Sequence, residues 1–303
     1  MKLWLCLGTG VMAISCAATF VRLALGQGMP VTAIASWRLI FTSILLWPYA
    51  FATHRAEMRT VSRQEAKLLV ASGVLMGLHF LGWIGSLHYT SVASSVVLVS
   101  MGPVFIVLGS WLFLRERPTA KILLGILLAI LGSIVIGWGD HSQGAHSIIG
   151  DLLALGGALC VAGYLIIGRK VRARLSLVTY IAFVYGIGMI TLTAIVLLAR
   201  QPMLGFSLKA YGWVLLLALI PQLIGHTSLN WALGHMSATF VSIITLTEPI
   251  GTSLLAYLVL KEQITLTTLI GAVPVLLGVA IASHKTGGQK GEGKMSTIKN
   301  SEL

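Results

Sequence analysis

Three polar side chains are evenly spaced along an otherwise apolar segment, residues 211–233. Gln222, His226 and Asn230 follow one another at intervals of four residues, so an α-helix places them in one row on one face. Each of these side chains donates or accepts hydrogen bonds, and the histidine also exchanges a proton near neutral pH. The row therefore either lines a polar cavity that holds a ligand or forms hydrogen bonds to a neighbouring helix.

Two charged residues, Arg38 and Glu248, lie deep within apolar segments. At 1.5 Å per residue they lie about 11 and 15 Å from the ends of those segments, so both approach the middle of a bilayer-crossing helix. A charge there costs at least ~2.5–3.5 kcal/mol, which makes each one a candidate for function. In one interpretation both contact charged groups of a substrate, or Glu248 and His226 carry a coupling proton. In the other, Glu248 bonds to backbone freed by Pro249, and Arg38 extends to the interface or forms a structural pair.

Residues 68–88 carry a second pair at helical spacing, His79 and Trp83. Trp83 can stack on a ligand or pack against a neighbouring helix. Trp37 and Tyr164 are further aromatic candidates, although Trp and Tyr are also common anchors at a membrane interface.

The sequence carries no convincing motif of an enzyme, a metal site or a nucleotide site. It lacks HExxH, a P-loop and a nucleophile elbow. Residues 137–140 match the GxGD pattern of intramembrane aspartyl proteases, but the other aspartate, Asp151, lies close in sequence rather than across the membrane. The cysteines show no CxxC spacing and are expected to be small buried residues. We therefore expect no enzymatic activity, no cofactor and no metal.

The composition indicates that most of the chain is immersed in lipid. Of its 303 residues, 56% are hydrophobic and 10% are charged, whereas a soluble domain averages about 45–50% apolar and about 25% charged residues. The few charged side chains cannot cover a water-exposed surface for a chain of this length. Soluble, collagen-like, disordered and disulfide-framework classes are excluded, and a polytopic membrane protein remains.

Ten apolar stretches are long enough to cross a bilayer as helices, because about 20 residues span ~30 Å of hydrocarbon and lipid offers no partner for unpaired backbone groups. They are residues 3–25, 31–51, 68–88, 92–114, 122–138, 150–168, 176–199, 211–233, 238–260 and 264–283. The first is longer than the apolar core of a cleaved signal, so we expect it to remain as a helix. The Gly- and Lys-rich tail, 284–303, is expected to be disordered and cytoplasmic.

The net charge of +12 follows the predicted topology. With the N-terminus inside, 16 of the 21 Lys and Arg residues fall on the inner side and 3 on the outer side. This asymmetry predicts that both termini are cytoplasmic. It also removes the case for nucleic-acid binding, because the basic residues are dispersed by topology instead of clustered on one face.

The sequence repeats itself at an offset of 146 residues, between 103–132 and 249–278. The matched pairs other than leucines are Pro103 and Pro249, Glu116 and Glu262, Thr119 and Thr265, Gly125 and Gly271, and Gly132 and Gly278. Each half then holds five spans, and because five is odd the second half enters the membrane from the opposite side. Inverted repeats build secondary transporters whose substrate site lies near the bilayer midplane. We therefore predict an all-α integral membrane protein with ten transmembrane helices in two inverted five-helix repeats, 3–138 and 150–283.

Several segments resemble the EamA-type repeat of the drug/metabolite transporter superfamily. The resemblance rests on residues 102–132 and 248–278, which close the two halves, and on 86–91 and 230–233, where that repeat has an aromatic–Ala–Leu and Thr-Ser junction. It implies ten helices, both termini inside, and export or exchange of small organic metabolites. Members carry amino acids, nucleotide-sugars, nucleosides, amines or drugs, so the substrate itself is not carried over.

The two halves differ at one position of this pattern, because Gly102 stands in the first half where Glu248 stands in the second. The halves are therefore not functionally equivalent. We expect a gradient- or exchange-driven transporter of the inner or plasma membrane that exports a small polar metabolite, with an amino acid as the first expectation from the resemblance.

The residues expected to line its cavity are Arg38, His79, Trp83, Gln222, His226, Asn230 and Glu248. The alternative is a non-transporting membrane protein, either a lipid-binding receptor or scaffold, or a membrane enzyme. The expected partners are the lipid bilayer and the small substrate. No lipid-facing GxxxG stands out, so the oligomeric state is open.

Overall fold

The computed structural model describes residues 2–90, 92–109, 111–112, 117–138, 147–261 and 266–283. The predicted tail 284–303, the repeat pair Glu116 and Glu262, and Asp140 lie outside the described residues. Within those residues every regular element is a helix. The prediction of an all-helical protein is confirmed at this level.

The helices follow the apolar stretches of the sequence. In chain order they are α1 (Lys2–Ser15), α2 (Ala17–Leu25), α3 (Val31–Arg59), α4 (Arg63–Tyr89), α5 (Val92–Val99), α6 (Gly102–Gly109), α7 (Ala120–Trp138), α8 (Ser147–Val171), α9 (Leu177–Leu198), α10 (Leu208–Leu217), α11 (Thr227–Leu233), α12 (Ala238–Thr245), α13 (Glu248–Leu255) and α14 (Leu266–Ser283). Two π-helical segments, Ala218–His226 and Ala256–Leu260, continue α10 and α13.

Seven helical segments of the described chain are long and apolar enough to cross a membrane. They are Leu3–Leu25, Val31–Arg59, Arg63–Tyr89, Ile148–Val171, Leu177–Leu198, Leu208–Leu233 and Ala238–Val259. The described helices of the other three predicted spans are shorter or interrupted. Span 92–114 contains α5 and α6, span 122–138 contains α7, and span 264–283 contains α14. The chain is therefore a multi-pass membrane protein.

The predicted spans 92–114 and 238–260 are each broken into two short helices, and these two breaks lie at matching positions. The chain leaves α5 and enters α6 at residues 100–101, and it leaves α12 and enters α13 at 246–247, which is the same offset of 146 as the sequence repeat. Pro103 and Pro249 explain both breaks, since proline has no N–H to continue the preceding turn but fits the first turn of a new helix.

The segment Ala218–His226 is a π-helix, which the sequence analysis does not anticipate. The backbone N–H of Thr227 donates to the carbonyl oxygen of Gln222, five residues back, instead of four. Pro221 lies inside this segment. Such a π-helical segment within a helix is a local feature that occurs frequently at functional sites.

Glycines bring α7 and α14 into close contact, and the contact is reciprocal. A Cβ atom at Gly132 would lie 2.4 Å from the carbonyl oxygen of Gly271, and one at Gly278 would lie 2.4 Å from that of Gly125. The two contacts are related by the repeat offset of 146 residues, which links Gly132 to Gly278 and Gly125 to Gly271. Such reciprocity is typical of two halves related by a two-fold axis.

Candidate functional site

A central cavity is lined by residues from both halves of the chain. Its wall includes residues of α3, α4, α8, the π-helical segment Ala218–His226 and α11. Residues at or next to both helix breaks also line it. Five of the seven residues predicted for a cavity are on this wall, namely Arg38, His79, Trp83, His226 and Glu248. The cavity is thus the place where the chain's deepest charges meet.

Arg38 is completely buried and is held from two sides. Its Nε–H donates to Oε1 of Gln222 at 2.8 Å, and its guanidinium carbon lies 3.8 Å from the centre of the Phe80 ring. This cation–π contact and hydrogen bond fix the plane of the guanidinium. No residue that the structure describes forms a hydrogen bond to Nη1 or Nη2 of Arg38. The N–H groups of Nη1 and Nη2 on this buried cation therefore have no hydrogen-bond acceptor among the described residues.

Glu248 is the first residue of α13 and lies on the wall at the second helix break. Its backbone oxygen accepts a hydrogen bond of 3.5 Å from Oγ of Ser15, which ties the break to α1. Among the described residues, the ion pair found joins Arg174 to Glu65, so Glu248 and Arg38 line one cavity without pairing to each other. A carboxylate at a helix N-terminus is favoured by the helix dipole.

Two histidines of the cavity wall differ in how they are held. Nδ1 of His79 lies 2.9 Å from the carbonyl oxygen of Gly157, so that nitrogen carries the proton and donates it. The His226 ring lies 5.2 Å from the Phe80 ring and 6.3 Å from the His79 ring, centre to centre. His79 is oriented by α8, whereas His226 presents its ring beside Phe80 on the wall.

The remaining members of the predicted polar row lie behind the wall. Gln222 supports Arg38, and Asn230 accepts a hydrogen bond from the Tyr164 hydroxyl. The amide nitrogen of Asn230 donates to the Tyr185 hydroxyl at 3.2 Å and to the His226 carbonyl at 2.8 Å. Gln222 is therefore bonded to Arg38 and Asn230 to the tyrosine hydroxyls, whereas His226 lines the cavity.

Several wall residues were missed or only partly anticipated by the sequence analysis. Phe80 was not among the predicted site residues. Its role is to pack against the guanidinium of Arg38, and only the folded chain brings these two residues together. Gly102 and Pro103 line the cavity at the first helix break. The sequence indicated only that Gly102 replaces the glutamate found at the matching position of the second half. Trp37 lies elsewhere, and its indole N–H donates to the Met203 carbonyl at 2.7 Å.

A polar network joins the two halves at one face of the bundle. Arg174 forms an ion pair with Glu65, and the Glu57 carboxylate accepts hydrogen bonds from the backbone N–H of Ser176 at 2.7 Å and from the hydroxyls of Ser176 and Thr179. The charge asymmetry predicts that this face is cytoplasmic. The network therefore bridges the α3–α4 and α8–α9 connections on that side.

A family model matches the chain twice. The EamA-like transporter family covers residues 2–138 and 148–284. An uncharacterized transporter of Archaeoglobus fulgidus is 27% identical over 285 residues, which is 94% of this chain and 100% of that protein. The pseudopaline exporter CntI of Pseudomonas aeruginosa is 28% identical over 185 residues, 60% of this chain and 63% of that one. The uncharacterized transporter YyaM of Bacillus subtilis is 25% identical and covers 82% and 83%.

The fold is shared with a solved protein. A crystal structure matches with a TM-score of 0.75 at 16% identity, over 93% of this chain and 96% of the other. At that identity the likeness concerns the fold alone.

Proposed function

The chain belongs to the EamA-like transporter family, and on that premise we propose that it is a secondary transporter that exports amino acids or similar small polar metabolites by alternating access. It is a membrane transporter rather than an enzyme, as the family and the names of its relatives indicate. The direction of transport, the substrate class and the mechanism belong to the proposal.

The observation that carries the proposal is the cavity at the two matching helix breaks. Interrupted helices at corresponding positions of two repeats mark the substrate sites of many transporters, because their free backbone ends face the ligand. Here both breaks, 100–101 and 246–247, adjoin one cavity that also holds the buried Arg38 and the carboxylate of Glu248. A cavity that holds a guanidinium and a carboxyl group suits a small polar molecule better than a lipid tail.

We place the repeats at 3–138 and 150–283, each with five helices and in opposite orientation. The reciprocal contacts of Gly132 with Gly271 and of Gly278 with Gly125 support this arrangement. The 16 basic residues assigned to one side support cytoplasmic termini in the cell membrane. Two inverted units around one site supply the pair of equivalent shapes that alternating access requires.

Transport must be driven by a gradient or by exchange, because the sequence carries no nucleotide-binding motif. Glu248 and His226 are the titratable groups on the cavity wall that we propose for proton coupling. The Glu57 and Glu65 network closes the predicted cytoplasmic face between the halves and must separate for the cavity to open there.

Counterflow in proteoliposomes tests the proposal. Purified protein is reconstituted in vesicles preloaded with one unlabelled metabolite of a panel, and uptake of the labelled metabolite is measured with and without a pH gradient. We expect uptake well above protein-free vesicles for at least one amino acid or similar polar compound. Binding without counterflow for the whole panel would instead identify the non-transporting receptor and refute the proposal.

A further inference from the structure

The cavity contains a cation whose hydrogen-bonding capacity is only partly used. Arg38 is fully buried, its Nε is bound to Gln222, and one face of its guanidinium lies on Phe80, while Nη1 and Nη2 have no partner among the described residues. A buried cation without partners is strongly unfavourable, so such donors are expected to be matched when the protein works. The two Nη atoms form a planar fork, which fits two oxygens of one anion.

We propose that the transported molecule carries a carboxylate and that Nη1 and Nη2 of Arg38 bind its two oxygens. This inference rests on the proposed transport function and deepens it. The partners that orient Arg38 leave this edge of the guanidinium free, and the same side chain lines the cavity. Gln222 and Phe80 are therefore positioning residues for Arg38.

The charges on the wall favour a carboxylate over a phosphate. Arg38 is the one Lys or Arg among the described residues that line the cavity, and Glu248 is the one Asp or Glu there. A phosphate with nearly two charges would meet a single cation, so its second charge would stay unbalanced inside the cavity. A carboxylate with one charge is balanced by Arg38, and Glu248 remains available for a protonated amine on the same molecule.

The difference between the repeats points to the same conclusion. Glu248 places a carboxylate at the start of α13, whereas Gly102 leaves the start of α6 without one. A Cβ atom at Gly102 would meet Cγ1 of Val161 at 3.5 Å, an ordinary contact, so packing does not require glycine there. Because helix N-termini favour anions, the start of α6 is a second feature of the cavity wall that favours a substrate carboxylate.

The rest of the wall indicates what lies beside the charged groups. It is largely apolar, with Ile14, Ile106, Val161, Leu165 and Leu229 among its residues. An amino acid with an apolar side chain therefore fits the charge and polarity of the cavity. Leucine is a suitable probe because each of its charged groups can be removed separately.

The experiment compares L-leucine with L-leucinamide, which lacks the carboxylate, and with 4-methylpentanoate, which lacks the amine. Thermal stabilisation of purified protein and counterflow are measured for all three, and the full panel of L-amino acids with their amides is tested in parallel. We expect the acids to bind and to be transported, and the matching amides to bind at least about tenfold more weakly, since charge-assisted hydrogen bonds are lost.

The variants separate recognition from folding. Arg38→Gln should abolish the preference for acids over amides, and Arg38→Lys should keep the charge but recover only part of the preference. Arg22→Gln is the matched control, because Arg22 lies at the end of α2 and donates to the Thr90 carbonyl at 3.4 Å, away from the cavity wall. Melting temperatures of the unliganded variants show whether each one is folded.

The outcomes distinguish this inference from the function on which it rests. Equal transport of acids and amides by the wild-type protein, or an unchanged preference in a folded Arg38→Gln variant, overturns carboxylate recognition while transport stands. Failure of every acid and amide in the panel to show counterflow overturns both. A shift of the acid preference in Arg38→Gln but not in Arg22→Gln supports the assignment.

Discussion

At the scale of single residues, the cavity is organised by partners that lie behind its wall. Gln222 was expected on the wall, and instead it holds Nε of Arg38. Asn230 uses its amide for the Tyr164 and Tyr185 hydroxyls, so it joins helices instead of facing a ligand. Buried polar networks of this kind orient functional side chains and stabilise the fold around them. Residue type and spacing predict polar groups near the cavity, but which of them line it depends on partners that other helices contribute.

Glu248 carries the residue-scale prediction, which concerns proton coupling. A substrate amine and a proton compete for the same carboxylate, so acid on the destination side should release the amine and accelerate transport. Glu248→Gln removes the titrating group and nearly keeps the shape, and we expect stimulation by a pH gradient to disappear. Counterflow of L-leucine with and without the gradient measures this effect.

The control for this prediction is the wild-type protein with the gradient collapsed by an ionophore. His226→Gln tests the other titratable group on the cavity wall. If a pH gradient still stimulates transport fully in Glu248→Gln, then Glu248 is not the group that couples protons to transport. Undiminished stimulation in both variants would refute proton coupling at this cavity.

At the scale of elements, the sequence predicts most helices but not their irregularities. Apolar length alone locates the spans, since lipid leaves helix as the structure for such stretches. The breaks at 100–101 and 246–247 follow from Pro103 and Pro249, and the sequence contained that signal. The π-helix at Ala218–His226 depends on a shift in hydrogen bonding that Pro221 permits but does not dictate. Gln222 and His226 both lie at the Arg38–Phe80 pair, Gln222 bonded to the guanidinium and His226 beside the ring.

The glycine contacts between α7 and α14 give the element-scale prediction. Gly132→Ala places a Cβ atom 2.4 Å from a backbone oxygen, and Gly278→Ala does the same across the reciprocal contact, so the helices must separate. We expect both variants to lose about 1–3 kcal/mol of stability, the usual cost of overpacking. Melting followed by tryptophan fluorescence in detergent measures the loss.

Gly156→Ala is the matched control, because a Cβ atom at Gly156 in α8 has nothing within 4 Å. This variant should melt at the wild-type temperature or slightly above, since alanine favours a helix over glycine by roughly 0.5–1 kcal/mol. Gly132→Ala and Gly278→Ala should resemble each other if the halves are related by a two-fold axis. A large difference between them would count against that symmetry.

At the scale of the whole molecule, the two halves meet at the cavity and again at the face that carries residues 57–65. The contacts at this face are unequal. Arg174 is 52% exposed, and ion pairs in water contribute little. Glu57 is partly buried and accepts hydrogen bonds from Ser176 and Thr179 of the other half. The Glu57 contacts should therefore contribute most to keeping this face closed.

The last prediction concerns the opening of this face. Glu57→Gln replaces one of the two carboxylate oxygens with an N–H₂ group and removes the charge. The amide can then no longer accept hydrogen bonds from both the Ser176 N–H and the hydroxyls of Ser176 and Thr179. The closed arrangement is weakened relative to the open one, and a change of about tenfold in the population follows from the loss of about 1.4 kcal/mol. Glu65→Gln should have a much smaller effect, because its partner Arg174 is exposed to water.

A cysteine in the cavity measures the opening. Ser100→Cys in a background without Cys6, Cys16 and Cys160 places one thiol at the first helix break, on the cavity wall. A membrane-impermeant thiol reagent is applied from each side of oriented vesicles. With Glu57→Gln we expect faster labelling from the side that carries residues 57–65 and slower labelling from the opposite side, because a shift between two states raises access on one side at the expense of the other. Faster labelling from both sides would indicate loosened packing instead, and an unchanged rate would show that Glu57 does not control this face.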